Sequence, residues 1–402
     1  MTEPAARDIF ARAIHSPFPR LKALIEGVAP GASPIDMTVG EPRHAQPAFL
    51  MEALATHQSE FGKYPAIVGL PELRGAIAGW IGRRYDLAGR IDPDANVHIL
   101  CGSREGLFTA IFPALDRRPP IDRPAVLIPN PFYQAYIAAA LGAGVEPVFL
   151  PALPETGFLP DLDALEKDRA LLARTIAFYL CSPSNPQGTV ASETYLERAI
   201  ALCRANDIML FCDECYSEVY ADRPPPGALE VALKRTGSLA NLLVFNSLSK
   251  RSNLPGLRSG FAAGDAGFIA RLSQFRNVVA PQMPLPVQWA SAAVWSDEAH
   301  VEASRAIYKA KFELSERLLG NRFGAPRPEG GFFLWLDLDR LGTGEDAALT
   351  LWKACGVKVL PGAYLTYRDG GVDPGSRYVR IALVHDLATT EEALKRLVSV
   401  AA

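Results

Sequence analysis

The sequence has no long apolar run and no excess of one charge, and each lack excludes a class of protein. No uninterrupted apolar stretch approaches the roughly 20 residues that a membrane-spanning helix needs, so we expect no membrane association. The chain carries 41 Lys and Arg residues against 44 Asp and Glu residues, a formal net charge of −3. This balance leaves no electrostatic footprint for a nucleic acid partner.

Cysteine is also scarce. The six cysteines are dispersed along 402 residues, which argues against a disulfide scaffold and favours a reducing compartment. The N-terminus shows no basic segment followed by an apolar one, so no secretory signal is expected and we predict a cytoplasmic protein. Cys212 and Cys215 form a C-x-x-C pair, but no second pair accompanies it, and no metal site is predicted.

Short apolar runs that alternate with helical patterns fill most of the chain. They are rich in Val, Ile, Leu and Phe, as strands buried on both faces are. Strand–helix alternation over roughly 200 residues predicts an α/β fold with a mostly parallel sheet. The predicted strands are Val97–Cys101, Ala125–Pro129, Val145–Leu150, Thr175–Cys181, Ile208–Cys212, Leu242–Asn246 and Gly260–Ala263.

The pattern predicts three units along the chain. Residues 1–45 form an N-terminal arm together with part of a smaller domain, and residues 46–285 form the large domain. Residues 286–402 form the rest of the smaller α+β domain, which begins after a cluster of prolines. We predict a long helical stretch over roughly 287–320 there, followed by strands at 332–337, 357–360 and 377–382.

A lysine lies in a hydroxyl-rich turn after the apolar strand at 242–246. The carboxyl edge of an open α/β sheet is where ligands bind. Lys250 is therefore a candidate nucleophile that forms a Schiff base with a carbonyl. Ser247 and Arg258 are candidate phosphate ligands. Taken alone, the motif is more typical of a solvated loop with ordinary charges.

Four further strand ends carry polar or aromatic groups. Asp213 is either a partner for a cationic ring nitrogen or a helix N-cap. Asn185 is either an amide donor or part of a plain turn. The segment 101–107 opens a helix, whose free N–H groups and dipole offer an anion site. An aromatic of the segment 129–136 either stacks on a planar ring or packs in the core.

Together, the five strand ends match one cofactor. A cationic ring nitrogen needs a carboxylate, and a phenolic oxygen needs an amide or phenol donor. An aldehyde needs a lysine, and a phosphate needs an anion site. Pyridoxal phosphate has all four groups, and its enzymes use a lysine Schiff base and an Asp partner for the pyridinium nitrogen.

The chain resembles the fold-type I, class I/II pyridoxal-phosphate aminotransferases over nearly its whole length. The motifs that carry the resemblance are GSREG, PNPFYQAY, NPQG, DECY, SLSK and RSGF, in this order. The resemblance implies an aspartate-aminotransferase-like fold, with a seven-stranded sheet in a large cofactor-binding domain and a smaller α+β domain. It implies pyridoxal 5'-phosphate as the cofactor and an amino acid and a 2-oxo acid as substrates.

The resemblance also implies roles for individual residues. The catalytic residues would be Lys250 as the Schiff-base lysine, Asp213 as the pyridinium partner and Tyr216 as a donor to the phenolic oxygen. Substrate-binding residues would be Gly40, Asn185 and Arg380. Asn185 would share the phenolic oxygen with Tyr216, and Tyr133 would stack on the ring. The phosphate ligands would be Ser103, Arg104 through its backbone amide, Ser247, Arg258 and, from a neighbouring subunit of a homodimer, Tyr64.

A narrower resemblance is to the bacterial N-succinyldiaminopimelate aminotransferases of lysine biosynthesis. It rests on GEPRHAQP, DECYSEVY and SLSKRSNLPG, and Ser252 departs from the bulky residue usual in the broad family. It implies N-succinyl-LL-2,6-diaminopimelate as donor, with 2-oxoglutarate as acceptor. Arg43, Arg104 and Arg251 are then candidate partners for the distal anion. The alternatives are an aminotransferase for aspartate, alanine or N-acetylornithine, or a β-lyase on the same fold.

Three other classes fit less well. The segment 247–250 satisfies the S-x-x-K pattern of serine acyl enzymes, but no S-D-N follows it. The glycine pair at 142–144 lacks the third glycine of a dinucleotide fingerprint and precedes a strand. The N-terminal arm is neither long nor basic enough for a DNA-binding regulator.

Overall fold

The computed structural model describes residues 16–324, 327–368 and 373–401, so residues 1–15 of the predicted arm lie outside the described residues. The strands are β1 (Ile35–Asp36), β2 (Val97–Leu100), β3 (Ala125–Asn130), β4 (Glu146–Pro151), β5 (Thr175–Cys181), β6 (Met209–Asp213), β7 (Leu242–Ser247), β8 (Gly260–Gly264), β9 (Phe333–Asp337), β10 (Val357–Lys358), β11 (Leu360–Pro361) and β12 (Tyr378–Ala382).

In the described residues the helices surround sheets of seven, three and two strands, and the two-stranded sheet pairs β1 with β10. They are α1 (Pro17–Ile25), α2 (Leu50–Thr56), α3 (Pro71–Tyr85), α4 (Ser103–Thr109), α5 (Ile111–Asp116), α6 (Gln134–Gly142), α7 (Leu162–Lys167), α8 (Arg169–Arg174), α9 (Glu193–Ala205), α10 (Ala228–Thr236), α11 (Leu248–Arg251), α12 (Ala266–Val279), α13 (Leu285–Ser296), α14 (Ala299–Leu319), α15 (Gly344–Cys355) and α16 (Leu387–Ala401). In the part of the chain that the structure describes, none of these helices is long and apolar enough to cross a membrane.

The larger sheet has seven strands in the order β2-β8-β7-β6-β5-β3-β4. β8 pairs antiparallel with β2 and β7, and the other pairs are parallel. The predicted α/β class and the mostly parallel seven-stranded sheet are therefore confirmed. The parallel strands β3, β5, β6 and β7 are buried throughout because crossover helices cover both faces of the sheet, whereas the edge strand β4 is only partly buried.

Alternate residues of the central strands pack on opposite faces of the sheet. Leu210 and Cys212 join the cluster formed with α3, α9, α10 and α13. Phe211 and Phe245 join the other cluster, formed with α4, α6 and α12. This alternation leaves only the strand ends free to carry polar side chains.

The smaller sheet is antiparallel in the order β11-β12-β9 and has its own core with α14, α15 and α16. The single strand predicted over 357–360 is wrong. Val357–Lys358 pairs with β1, whereas Leu360–Pro361 pairs with β12, because the chain changes partner between them. The domain boundaries at residues 46 and 286 stay a prediction.

The helical stretch predicted over roughly 287–320 is made of two helices, because α13 ends at Ser296 and α14 begins at Ala299. Asp297 is extended, and its carboxylate accepts the His300 N–H at 3.2 Å. The Arg251 guanidinium donates to the carbonyls of Val294 and Asp297, both at 3.1 Å. Side chains thus satisfy the backbone groups that a continuous helix would have paired.

Candidate functional site

The polar residues that follow β5, β6 and β7 meet at the carboxyl edge of the larger sheet. Cys181 of β5 pairs with Asp213, the last residue of β6, and Asp213 pairs with Phe245 of β7. Ser247 ends β7 and Asn185 lies four residues after β5. Because these strands are parallel neighbours, their ends place the three side chains side by side.

Lys250 lies on α11, which begins directly after β7 because the Ser247 hydroxyl accepts the Ser249 N–H at 3.1 Å. Its Nζ donates to the Gly40 carbonyl and lies 5.4 Å from the centre of the Phe332 ring. Burial lowers the pKa of Lys250 to about 8, and the nearby cations of Arg380 and Arg104 act in the same direction. The neutral, nucleophilic form of the amine is therefore available near neutral pH.

Asp213 is a buried carboxylate held by two donors. The Tyr136 hydroxyl donates to Oδ2 at 2.8 Å and the Cys215 N–H donates to Oδ1 at 3.3 Å. Burial raises the pKa of Asp213, and the hydrogen bonds oppose that rise. A positive charge placed beside it would lower that pKa again, so the position suits a cationic ring nitrogen.

The start of α4 and the Arg258 side chain form an anion cradle. A Cβ at Gly102, where φ is +84°, would lie 2.3 Å from Arg258 Nη2, so only glycine admits the guanidinium there. Arg258 Nη2 donates to the Cys101 carbonyl at 3.2 Å. Ser103 begins α4, and its hydroxyl accepts from the Cys215 thiol at 3.0 Å. A cation, a hydroxyl and free helix N–H groups are the donors that a phosphate takes.

Arg380 comes from β12 of the smaller sheet and reaches the same edge. Its Nη1 donates to Asn185 Oδ1 at 3.1 Å and its Nη2 to the Thr38 carbonyl at 2.8 Å. Burial lowers the pKa of Arg380 to about 10. Among the residues that the structure describes, its buried Nε has no hydrogen-bond partner, so a charged donor is available for an anion such as a carboxylate.

Tyr216 is close to Asn185, whose Nδ2 lies 3.5 Å from the Tyr216 hydroxyl. The rings of Phe332 and Phe333 pack edge-on against Tyr216 at 5.3 and 5.8 Å. Burial raises the pKa of the Tyr216 phenol well above its ordinary value, which keeps the phenol a hydrogen donor.

The remaining predicted residues occupy different surroundings. The Tyr133 hydroxyl accepts from Arg104 Nε, and the Tyr133 ring meets Tyr136 edge-on at 5.7 Å. Gly40 has no room for a side chain, because a Cβ there would lie 2.5 Å from the Phe333 ring. Tyr64 lies apart from these residues, and its side chain is fully exposed on this chain at 101%.

Sequence reasoning missed two residues of the site. Tyr136, which holds Asp213, is three residues after Tyr133 in PNPFYQAY, and its i, i+3 position on one helical face was the available signal. Cys215 was interpreted only as part of a C-x-x-C pair. Its thiol links the end of β6 to Ser103 at 3.0 Å.

Arg251 does not fit its predicted role as a distal-anion ligand. The guanidinium is buried, donates to Glu298 Oε1 at 2.8 Å and lies 4.9 Å from the centre of the Trp295 ring. The Arg251 charge is therefore paired inside the fold and is not available to a substrate anion. Arg43 and Arg104 are exposed, and Arg43 contacts the His385 ring at 3.1 Å.

The fold, the buried amine and the anion cradle together define an α/β enzyme built for a phosphorylated carbonyl cofactor. The family model described as "Aminotransferase class I and II" matches residues 32–397. The chain belongs to this family of fold-type I aminotransferases, which depend on pyridoxal phosphate. The Gly102–Arg258 cradle fits the phosphate, and Asp213 and Lys250 offer the carboxylate and amine that the ring nitrogen and the aldehyde require.

Known proteins match the chain over almost its full length. An LL-diaminopimelate aminotransferase from Syntrophobacter fumaroxidans is 32% identical over 94% of this chain and 93% of the relative. The crystal structure of an aminotransferase from Neisseria meningitidis is 38% identical with a TM-score of 0.91, and covers 96% of this chain and 98% of that one. The aminotransferase AspB from Helicobacter pylori is 33% identical with a TM-score of 0.87, over 96% and 98%.

These matches confirm the resemblance to the class I/II aminotransferases. They support the narrower resemblance only as far as relatives that act on a diaminopimelate. The protein is a pyridoxal-phosphate aminotransferase with small-molecule substrates. The Syntrophobacter relative is named for LL-diaminopimelate rather than for its N-succinyl derivative. The comparisons therefore give no support to the succinylated compound as the substrate.

Proposed function

We propose that the protein transfers an amino group from a donor with the diaminopimelate skeleton to 2-oxoglutarate, in lysine biosynthesis. The proposed donor is N-succinyl-LL-2,6-diaminopimelate. The observation that carries the aminotransferase chemistry is Arg380, whose buried Nε has no partner among the described residues and lies at the same sheet edge as the Lys250 amine. A donor bound there by its α-carboxylate presents its Cα to Lys250.

The proposed chemistry divides into separate residue roles. When bound, pyridoxal phosphate supplies an aldehyde that links to amines and a ring that accepts the electron pair of the breaking Cα–H bond. Asp213 holds a proton at the ring nitrogen, since a buried carboxylate favours a cation beside it. Lys250 takes the proton from Cα and delivers it again as general base and acid.

Three further residues bind and orient. Asn185 and Tyr216 donate hydrogen bonds to the phenolic oxygen, and their separation of 3.5 Å supports a shared acceptor. Arg380 fixes the α-carboxylate, which holds the Cα–H bond at a set angle to the ring plane. Ser103, Ser247 and Arg258 bind the phosphate.

The charged side chains near Lys250 bear on which amino donor the site accepts, because they would meet the distal end of the donor. The succinylated distal end carries carboxylates and no ammonium, so it needs a cation. Arg104 supports this donor, because its guanidinium is exposed and acts electrostatically on Lys250. Arg43, which is also exposed, is the second candidate cation.

Unmodified LL-diaminopimelate is a second candidate donor. Its distal end carries an ammonium group as well as a carboxylate, and the ammonium needs an anion. Glu41 follows Gly40 and acts electrostatically on Lys250, so a carboxylate is available near the amine. The name of the Syntrophobacter relative favours the same donor.

We also propose a cytoplasmic homodimer with shared active sites. The full exposure of Tyr64 on a single chain supports this, because a tyrosine that reaches a neighbouring subunit's phosphate must project away from its own chain. Sedimentation at a concentration near 1 µM tests it: a dimer mass is expected, and a monomer that retains full activity would contradict the proposal.

A donor panel tests the function. The purified protein, supplied with pyridoxal phosphate and 2-oxoglutarate, is assayed with N-succinyl-LL-diaminopimelate, LL-diaminopimelate, N-acetylornithine, aspartate and alanine. We expect the highest kcat/KM with the succinylated donor. Higher kcat/KM with LL-diaminopimelate selects the second candidate, and turnover of aspartate alone would overturn both.

A further inference from the structure

The three residues that follow Lys250 all contact the junction between α13 and α14. Arg251 donates to the carbonyls of Val294 and Asp297 and to the Glu298 carboxylate. Ser252 meets His300, and the Asn253 amide donates to Ser304 Oγ at 3.3 Å. The end of the short helix that carries Lys250 is thus tied to the point where the predicted long helix breaks.

Within these contacts, four side chains form one directional chain of hydrogen bonds. Arg251 Nη1 donates to the Ser252 hydroxyl at 3.2 Å, and Ser252 Oγ lies 2.8 Å from His300 Nε2. His300 Nδ1 lies 2.5 Å from Asp297 Oδ2. Since Arg251 only donates and Asp297 accepts, Ser252 donates to a neutral His300 whose Nδ1–H points to Asp297.

The surroundings of His300 favour this neutral tautomer. Burial lowers the pKa of His300, and the Arg251 cation acts in the same direction, whereas Asp297 and Glu298 oppose it. From α3, Arg83 lies 3.7 Å from the Glu298 carboxylate, and it adds a further cation to the junction. The Phe49 ring covers the imidazole edge-on at 6.4 Å.

Ser252 itself has no exposed surface, so its hydroxyl depends on protein partners. The order serine, histidine and aspartate is that of hydrolytic triads, but no substrate reaches a serine with 0% exposure. The Ser252 N–H donates to the Leu248 carbonyl at 3.0 Å, which makes Ser252 the residue that ends α11. A fixed Ser252 therefore fixes the helix on which Lys250 lies.

We propose that Ser252 and His300 are positioning residues for the aminotransferase reaction, because their hydrogen bond holds the Lys250 helix against the α13–α14 junction. The inference rests on the proposed function only through Lys250 being the reactive amine. When His300 is protonated, Nε2 becomes a donor and the Ser252 O–H loses its acceptor. At neutral pH the bond therefore runs from Ser252 to His300, and its direction reverses when His300 takes up a proton.

The test measures the Lys250 amine in cofactor-free protein. Brief labelling with acetic anhydride between pH 6 and 10, followed by peptide mass spectrometry, gives the pH at which half of Lys250 is reactive. In the wild type this midpoint is expected near 8, as burial lowers the pKa of Lys250 to about 8. In Ser252→Ala and His300→Phe we expect it to rise by about half a pH unit or more, because the released helix lets water reach the amine.

Two variants separate positioning from a general loss of stability. His300→Gln keeps an acceptor at the reach of Nε2 and is expected to keep the wild-type midpoint. Ser291→Ala is the matched control for Ser252→Ala, because Ser291 is equally buried and its hydroxyl donates to Val287 of its own helix at 2.6 Å. The Ser252→Ala/His300→Phe double variant should shift no further than either single variant.

The inference is overturned if Ser252→Ala and His300→Phe match Ser291→Ala, or if their shifts add. If Ser252→Ala does not fold, the comparison of His300→Phe with His300→Gln decides, and equal midpoints overturn the inference. A failure of the proposed function is seen separately, as absence of a cofactor tag on Lys250 after reduction, whereas the midpoints need no cofactor.

Discussion

The Arg380 guanidinium donates to Asn185 Oδ1 at 3.1 Å and so joins β12 of the smaller sheet to the turn after β5 of the larger one. Arg380 also holds the Thr38 carbonyl at 2.8 Å, two residues before Gly40, whose carbonyl accepts from Lys250. One buried cation thus connects three segments at the candidate site, and its Nε–H has no partner in the part of the chain that the structure describes.

Replacing Arg380 with Lys should weaken donor binding and turnover together. Lysine keeps the charge but loses the planar fork that pairs with a carboxylate. We expect kcat/KM for the amino donor to fall about 100-fold, corresponding to roughly 3 kcal/mol of lost charge-assisted bonding. Arg396→Lys, which alters an arginine on α16 that donates to the Ser33 carbonyl, is the control and should leave kcat/KM unchanged. Equal effects of the two changes would remove Arg380 from the substrate site.

Asp213→Asn separates proton chemistry from cofactor binding. The amide keeps the volume and the bond from Tyr136 but loses the charge that holds a proton on the ring nitrogen. We expect kcat/KM to fall about 100-fold or more, while the cofactor dissociation constant, measured by fluorescence titration, rises less than about tenfold. The opposite order of effects would contradict the assignment of Asp213.

The charge of the distal subsite should determine donor choice. If the succinylated donor is the substrate, Arg104→Gln lowers kcat/KM for it more than for LL-diaminopimelate, and Glu41→Gln leaves the preference unchanged. The measurement is the ratio of kcat/KM for the two donors. A fall of about tenfold in that ratio, or about 1.4 kcal/mol, is expected for an exposed cation.

Arg251→Lys is the matched control for this selectivity. Arg251 is buried against Trp295 and Glu298, so its replacement should lower stability without changing the ratio. A ratio that responds to Arg251 and not to Arg104 would place the distal anion elsewhere.

Glu214 should give stability a specific pH dependence. Burial raises the pKa of Glu214 to about 7, although the Ala228 N–H and the Tyr85 hydroxyl oppose the rise. The folded protein therefore keeps a proton that the unfolded chain loses near pH 4.5, so stability falls as pH rises from about 4.5 to 7. Glu214→Gln should remove this fall and raise the free energy of unfolding at pH 8 by roughly 3 kcal/mol at most.

Urea denaturation of the loaded enzyme at several pH values measures this effect. The exposed Glu26 offers a control, since Glu26→Gln should leave the pH dependence of stability as it is. If Glu214→Gln changes no more than Glu26→Gln, Glu214 is ionised in the folded protein at neutral pH.

Much of the larger sheet was predictable from sequence, since every predicted strand there lies within two residues of an observed one. Buried parallel strands are apolar throughout, and the polar residue after each marks the carboxyl edge. The order β2-β8-β7-β6-β5-β3-β4 was not predictable, because crossover connections set it and leave no local periodicity. The motif residues lie at one edge of the sheet because each of them follows one of these apolar parallel strands.

The local sequence pattern was insufficient to predict features that depend on a side chain distant in sequence. The apolar periodicity over 287–320 runs through the break at Asp297, which depends on Arg251, 46 positions earlier. The same arginine is one of three candidate ligands by sequence, because a charge next to Lys250 gives no sign of its burial between Trp80 and Trp295. Tertiary packing, rather than local preference, determines both the helix break at Asp297 and the burial of Arg251.

Chemical reduction tests most directly whether the Lys250 amine carries the cofactor. The protein is loaded with pyridoxal phosphate, reduced with borohydride, digested and mapped by mass spectrometry. The account predicts a phosphopyridoxyl group on the peptide that contains Lys250, together with its loss and the loss of amino transfer in Lys250→Ala. A tag on another lysine, or full amino transfer by Lys250→Ala, would contradict it.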